Sequence, residues 1–410
     1  MKNKTGEKMS KLSRRDFIKT SATVSLTALA SPANKIFAAG SDAIRVGLIG
    51  CGGRGRDAVK DCINSSKGVE LIAMGELFED RLKSSLADLK KEFARHIKVT
   101  EDTCFVGFDA YKKVIASDIN MVILATPPHF RPATLKAAIE AGKHVFMEKP
   151  VGVDPVGIRS VIDSSELAKK KGLAIVAGTQ RRHQAHYIEI IKRIHNDDIG
   201  KIVGGQIYWN GGKMLGYWNW WDREAGMSDM QWQCRNWPWF TWLSGDHIVE
   251  QHVHNIDVMN WAIGSHPVQC LGMGGRQVRK LGNIFDHFAV EFEYPGGVRV
   301  SSMCRQMEGC TDNVCERVVG TKGRSYTDGS LGYVEGPNAY KYDGPNPNPY
   351  VQEHADLIAS IRAGEPLNEG RRVAESTMAA IMGRMSAYTG RALKWDWAMK
   401  ASKLDLTPPS

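Results

Sequence analysis

From Ala43 to about Gly178, short aliphatic runs alternate with stretches whose apolar residues recur at helical spacing. AIRVGLIG, GVELIAMGE, INMVILATPP, KHVFMEKP and LAIVAGTQ read as buried strands. A segment opening near Arg54, then SSLADLKKEFA, RPATLKAAIEAG and GIRSVIDSSELAKKKG, read as the helices between them. That alternation predicts a parallel sheet covered by helices on both faces. Past about Gly200 the pattern changes. KIVGGQIYWNGG, PVQCLGMGGRQV, FDHFAVEFEYPGG and GVRVSSMCRQ are strand-like, and EYPGGVRV is a hairpin signal. They predict a large, mostly antiparallel open sheet. VQEHADLIASIRAG and RRVAESTMAAIMGRMSAYTG close the chain as helices.

The glycines sharpen the first half. Gly50-Cys51-Gly52-Gly53-Arg54-Gly55 is a GxGxxG that follows a strand and opens a helix. In that context Gly50 makes a tight turn, Gly52 lets the backbone approach a pyrophosphate, and Gly55 lets helix and strand pack closely. Glu76, at the end of the second strand, stands where an acid binds ribose hydroxyls, which favours NAD over NADP. The expected fold class is therefore α/β. An N-terminal Rossmann domain spans residues 43–177. A C-terminal α/β domain, built on the large open sheet, spans 178–395, with its last helices able to pack back on the first domain.

Length and charge fit this picture. The chain has 410 residues, enough for two domains. Its formal net charge is +9, but residues 1–39 carry eight Lys/Arg and two acids, so the remainder holds only +3. That balance argues against a nucleic-acid partner. No apolar run is long enough to predict a membrane span. The leader KLSRRDFIKTSATVSLTALA has paired arginines, a weakly apolar stretch and small residues near Phe37–Gly40. It resembles a twin-arginine signal, which exports folded proteins. Residues 1–39 are read as that signal, and the location as periplasmic or otherwise extracytoplasmic. Eight cysteines are scattered without a CxxC pair, so no structural zinc is expected. Cys304, Cys310 and Cys315 are the set open to pairing after export.

Two further motifs carry chemistry. Lys149 lies in MEKPVG at a strand's carboxyl end, where ligands bind in such sheets. Glu250 and His254, in GDHIVEQHVHNIDVMNWAIG, stand four apart, so helical spacing predicts one shared face, with Asp257 a turn further. His254 is then a proton acceptor and Glu250 its orienter or a substrate ligand. His247, Glu250 and His254 as a metal set is the competing reading; none is expected to hold a metal. Eight of the eleven tryptophans lie from Trp209 to Trp242, in a stretch of no clean period. Trp221 and Trp237 within it are candidates to stack on a sugar face. An aromatic subunit interface is the alternative.

Taken in order, these motifs resemble the glucose–fructose oxidoreductase, inositol dehydrogenase and rhizopine-catabolism (Gfo/Idh/MocA) family. GxGxxG at Gly50–Gly55, Glu76, ATPPHF at Ala125–Phe130, EKP at Glu148–Pro150, GTQRRH at Gly178–His183 and the acid-x3-histidine at Glu250–His254 carry the resemblance. It implies a nicotinamide site with Gly50, Gly52, Gly53, Arg54, Gly55, Glu76, Thr126, Pro127, His129 and Glu148 against the cofactor. It implies that Lys149 and His254 work on a substrate hydroxyl; Glu250 is read as acting beside them, and Arg182 and Asp257 as facing the substrate. It also implies pairing of subunits, as a homodimer or homotetramer. This chain has Glu250 where many polyol-oxidising members have aspartate. The expected function is an exported dehydrogenase that oxidises a ring hydroxyl of a sugar or glycoside, C3 of a hexose, with tightly bound, recycled NAD. A redox-neutral, NAD-dependent glycosidase and a non-catalytic carbohydrate-binding protein are the alternatives.

Overall fold

Six short strands in the computed structural model form a wholly parallel sheet: β1 (Ile44–Ile49), β2 (Val69–Glu76), β3 (Cys104–Val106), β4 (Met121–Leu124), β5 (His144–Met147) and β6 (Ile175–Ala177). The structure describes residues 43–212 and 219–408. The leader and Trp218 lie outside the described residues. The order is β3-β2-β1-β4-β5-β6, so the chain reverses direction between β1 and β4. A crevice opens there, beyond the strands' carboxyl ends. β4 and β5 are buried at every position, as continuous apolar runs in a doubly covered sheet must be. β3 is not among the expected strands: it is three residues long, lies at the edge and is only partly covered.

The second sheet has nine strands: β7 (Ile202–Gly211), β8 (Gln269–Gly275), β9 (His287–Glu293), β10 (Arg299–Gln306), β11 (Asn313–Gly320), β12 (Arg324–Asp328), β13 (Gly332–Glu335), β14 (Tyr340–Lys341) and β15 (Leu393–Lys394). Their order is β14-β13-β12-β11-β7-β10-β9-β8-β15. Only β7 and β10 run parallel; every other pair is antiparallel. The expected hairpin joins β9 to β10, with Glu293 opposite Arg299. One face of this sheet is covered by helices. The other leaves Leu271, Met273 and Met303 exposed.

Five helices frame the crevice and its surroundings: α1 (Gly53–Ser65), α2 (Pro155–Lys171), α3 (Val253–Ile263), α4 (Pro349–Ala363) and α5 (Gly370–Thr389). α2 begins cleanly because Pro155 needs no amide partner and the Asp154 carboxylate accepts from Gly157 N at 2.7 Å. Leu357, Ile358 and Ile361 of α4 enter the same core as Ala58 and Val59 of α1. A second apolar cluster runs without a break from Val145 and Met147 in the first sheet to Val290 and Phe292 in the second. All eight cysteines are free, so Cys304, Cys310 and Cys315 form no bridge.

Candidate active site

The crevice starts at the glycine turn. Gly50 has φ +94°, and a Cβ on Gly55 would lie 1.9 Å from the Gly50 carbonyl oxygen. Those two positions admit only glycine. Gly52 and Gly53 face open space instead, with nothing within 4 Å of an added Cβ. α1 opens at this turn with no side-chain cap and no acid in its first turn, so its amides remain available to an anion. Glu76 is pinned at the rim. Its Oε2 accepts from Cys51 N at 2.7 Å, and its Oε1 from Leu77 N at 2.7 Å and Phe78 N at 3.2 Å. Gly50, Gly52, Glu76, Phe78, Thr126, Pro127 and Trp237 line one cavity of about 290 Å³.

The far end of the groove comes from the loops after β4 and β5. The Thr126 hydroxyl is buried without a partner, a polar atom left for a ligand. Arg131, fully buried, donates to the Thr126 and Pro150 carbonyls and so ties the two loops together. Sequence reasoning missed it, although it directly follows ATPPHF. Burial pushes its pKa down to about 10. His129 meets Trp242 edge-on, with ring centroids 5.0 Å apart, and burial lowers its pKa. Arg54 does not lie along the groove floor. Its guanidinium bonds Glu148 at 2.5 Å, Asp61 at 3.1 Å and Glu353 at 3.4 Å. Burial opposes the Arg54 charge, but these carboxylates outweigh it and raise its pKa. Arg54 and Glu148 thus brace the glycine turn against the end of β5.

Lys149 is the next residue along. Its Nζ donates to the Glu250 backbone carbonyl at 2.5 Å and to Glu250 Oε1 at 3.0 Å, with both side chains nearly buried. Gln251 Nε2 holds the other carboxylate oxygen. The expected continuous helix through Glu250 and His254 is broken here: one turn spans His247–Glu250, and α3 starts only at Val253. Buried Asp246, at φ +81°, anchors the turn by accepting from His247 N, from Phe285 N at 3.0 Å and from the Tyr388 hydroxyl at 2.6 Å. His254 N donates to the Gln251 carbonyl, which leaves the Glu250 carbonyl free for Lys149. An unbroken helix would have consumed that carbonyl.

His254 is buried beside this pair, its ring stacked on Trp209 at 5.6 Å, with Nδ1 unpartnered. Burial, then the charges of Lys149, Arg181 and Arg54, push its pKa well below the ordinary histidine value. It is therefore neutral at physiological pH, able to accept a proton at Nδ1 in the tautomer protonated at Nε2. Arg181 lies over the Trp209 ring at 5.4 Å and pairs with buried Glu316, a partnership 135 residues apart that no local pattern reveals. Among the described residues no His, Cys, Asp and Glu side chains group as a metal site, His247, Glu250 and His254 included.

Arg182 and Asp257 stand apart from this cluster in chemistry. Asp257 accepts from Arg182 Nε at 2.7 Å and Nη2 at 3.0 Å, from Ser376 Oγ at 2.8 Å and from Arg372 at 3.4 Å. Both charges are spent inside the protein. The aromatic stretch also divides. Trp237 lines the dinucleotide groove beside Cys234 and Phe78. Trp221 is half exposed, its backbone held by Asn236.

Comparison with known proteins agrees with this geometry. Residues 44–193 match the model of an oxidoreductase family with an NAD-binding Rossmann fold, and residues 187–326 match the GFO/IDH/MocA C-terminal domain. The chain belongs to the Gfo/Idh/MocA family of oxidoreductases. It is 29% identical over 260 residues to inositol 2-dehydrogenase/D-chiro-inositol 3-dehydrogenase of Halalkalibacterium halodurans, covering 63% of this chain and 64% of that one. With inositol 2-dehydrogenase 4 of Saccharopolyspora erythraea the match spans 43% of the relative's length. The chain thus matches less than two thirds of the length of these curated relatives. Aldose-aldose oxidoreductase from Caulobacter crescentus, complexed with glycerol, shares the fold at TM-score 0.67 and 18% identity, covering 86% of this chain and 99% of that one. The scyllo-inositol dehydrogenase of Lactobacillus casei, solved with NAD(H) and scyllo-inositol, does so at TM-score 0.65 and 17% identity, covering 86% and 99%.

Proposed function

We propose that this protein is an NAD-dependent dehydrogenase that oxidises a secondary ring hydroxyl of a sugar, glycoside or cyclitol to a ketone. The observation that carries this reading is the junction of Lys149, Glu250 and His254, whose Nδ1 has no partner, just past the carboxyl end of β5, the strand beside β4 whose following residues Thr126 and Pro127 line the groove. The groove suits the cofactor: Gly50 and Gly55 shape the turn, Gly52 and Gly53 leave its floor open, and the Thr126 hydroxyl awaits a partner. Glu76 would hold the ribose hydroxyls and the amides opening α1 the pyrophosphate.

When bound, NAD supplies the hydride acceptor. The chain moves the proton and places the substrate. Lys149, oriented by both oxygens it meets on Glu250, presents its remaining N–H to the reacting oxygen and stabilises the negative charge that grows there. His254 Nδ1 takes the hydroxyl proton as the C–H bond gives up its hydride and the carbonyl forms. Burial and Lys149 keep His254 uncharged, so its Nδ1 is open to the hydroxyl proton.

The leader and the cofactor belong to one reading. The protein is loaded with NAD as it folds, is exported folded by a twin-arginine route and recycles the nucleotide in place. The exposed row of Leu271, Met273 and Met303 on the open sheet supports a homo-oligomer. The test is mass spectrometry of natively purified protein, followed by a panel of sugars, glycosides and inositols. Bound adenine dinucleotide, and reduced-nicotinamide absorbance on adding one class of substrate, are expected. A nucleotide-free protein that also fails to bind added NAD overturns the assignment.

A further inference from the structure

The tryptophan-rich stretch divides: Trp209 stacks on His254, whereas Trp237 lines the dinucleotide groove. Its segment from Asp229 to Ser244 borders the dinucleotide groove, with Cys234 and Trp237 beside the Glu76 end and Trp242 against His129 and Phe130. Cys234 and Trp237 line the cavity opposite Gly52, Glu76 and Phe78. Phe78, Cys234 and Leu243 form a separate buried apolar cluster, with Phe130, Trp237, Phe240 and Trp242 packed against it. Neither Phe78 nor Phe130 comes from this segment. The cluster is thus a seam that joins the segment to the loops following β2 and β4.

Polar latches hold the seam shut. Arg235 binds Asp80 through two parallel hydrogen bonds, Nη1 to Oδ2 at 2.7 Å and Nη2 to Oδ1 at 3.2 Å. Its guanidinium lies over the Phe78 ring at 4.2 Å. Arg81, itself in the groove lining, donates to the Arg235 carbonyl at 3.2 Å. Asn236 is wholly buried and fixes the segment internally. Its amide donates to the Trp221 and Trp232 carbonyls, and its Oδ1 accepts from Trp221 N at 2.8 Å. Each latch residue on the nucleotide-binding side falls within five positions of Glu76, the residue placed on the ribose.

A dinucleotide binds in the crevice beyond the strands' carboxyl ends. Here Cys234 and Trp237 form part of that crevice's wall beside Glu76, Phe78 and Arg81. We infer that the Asp229–Ser244 segment is a clasp over the adenosine half of the cofactor, latched by Arg235 and Asp80, that sets how long NAD stays bound. The inference rests on the cofactor assignment proposed above and extends it: Trp237 and Arg235 retain the nucleotide rather than recognise the sugar. Release requires the seam to part, so the effect falls on the dissociation rate.

The experiment follows exchange of bound NAD for isotopically labelled NAD by mass spectrometry, using full-length protein. The variants are Asp80→Ala, Arg235→Ala, Trp237→Ala and the charge-exchanged pair Asp80→Arg with Arg235→Asp. Loss of the latch is expected to speed exchange about fivefold, matching a partly exposed ion pair. Trp237→Ala is expected to speed it more than about tenfold, because a large apolar wall is removed. The exchanged pair is expected to return the rate toward that of the unaltered protein. Asp80 is largely solvent-exposed, so its replacement tests the latch without disturbing the core. If Arg235→Ala and Trp237→Ala lower the melting temperature but exchange NAD at the unaltered rate, the segment only joins the two halves and the clasp is overturned. If the unaltered protein binds no NAD, the cofactor assignment falls, and the clasp with it. Binding by the unaltered protein with exchange unmoved in every variant overturns the clasp alone.

Discussion

Lys149–Glu250 and Arg182–Asp257 are both ion pairs between a buried base and a buried acid, and both carboxylates sit within eight residues of one another. They are finished differently. Every oxygen of the Asp257 carboxylate is taken twice, by Arg182, Arg372 and Ser376. Lys149 keeps an N–H to spare, and the neighbouring His254 has a nitrogen with no partner at all. A saturated buried pair stabilises an arrangement; an unsaturated one beside a groove is available for chemistry. Charge and burial alone do not separate the two. The count of unspent lone pairs and N–H groups does.

Altering each pair in turn gives the strongest test. Lys149→Met made together with Glu250→Gln, so that no buried charge is left unpaired, is expected to lower kcat by about 10³-fold, within the range for loss of a positioned acid–base group, while the melting temperature changes little. Asp257→Asn is expected to do the reverse, costing about 3–5 kcal/mol of stability by leaving Arg182 uncompensated. Denaturant unfolding and steady-state NAD reduction on the same samples check both; a fall in kcat with unchanged stability for Asp257→Asn would erase the distinction. Next in size is His254→Asn, expected to cost about 10²-fold in kcat. Since burial and Lys149 keep His254 neutral, the acid limb of the unaltered enzyme's kcat profile should lie below pH 6.5, the ordinary histidine value. An acid limb at or above that value assigns the proton elsewhere.

The smallest effect sharpens the structural side. His183 bonds Asp356 at 2.6 Å and approaches Glu369 at 3.5 Å. Burial opposes its charge, but the two carboxylates outweigh burial and raise its pKa to about 9. A raised pKa means the folded state holds the proton more tightly. The stabilisation is therefore complete below pH 6.5 and disappears as pH rises through about 9. His183→Gln should cost on the order of 2 kcal/mol at pH 6 and almost nothing above pH 10, read from urea midpoints.

Much of the fold is legible in the sequence because buried parallel strands are unbroken apolar runs and their helices are amphipathic. The glycine turn and Glu76 are legible because each answers a local steric or charge demand. β3 is lost because three half-covered residues carry no period. The spacing of Glu250 and His254 is right about neighbourhood and wrong about backbone. Periodicity cannot see that the turn begun at Asp246 ends at Glu250, whose backbone carbonyl is taken by Lys149 while His254 N turns to Gln251. Trp237 points to sugar when only its own aromatic segment is considered, whereas its surroundings are set by Phe78, remote in sequence. Arg182 and Asp257 each read as substrate-facing when taken alone, because the sequence does not reveal that they bond one another across 75 residues.

α4 has a consequence for biosynthesis. Leu357, Ile358 and Ile361 complete the packing around α1, the helix that begins at the glycine turn. On a ribosome, the strands of the first sheet emerge long before α4 does. Until it arrives, Ala58 and Val59 have an uncovered flank, and the nascent nucleotide cradle is unfinished. Vectorial synthesis therefore leaves the nucleotide cradle incomplete until the chain has been made through Ala363, about 300 residues after the glycine turn.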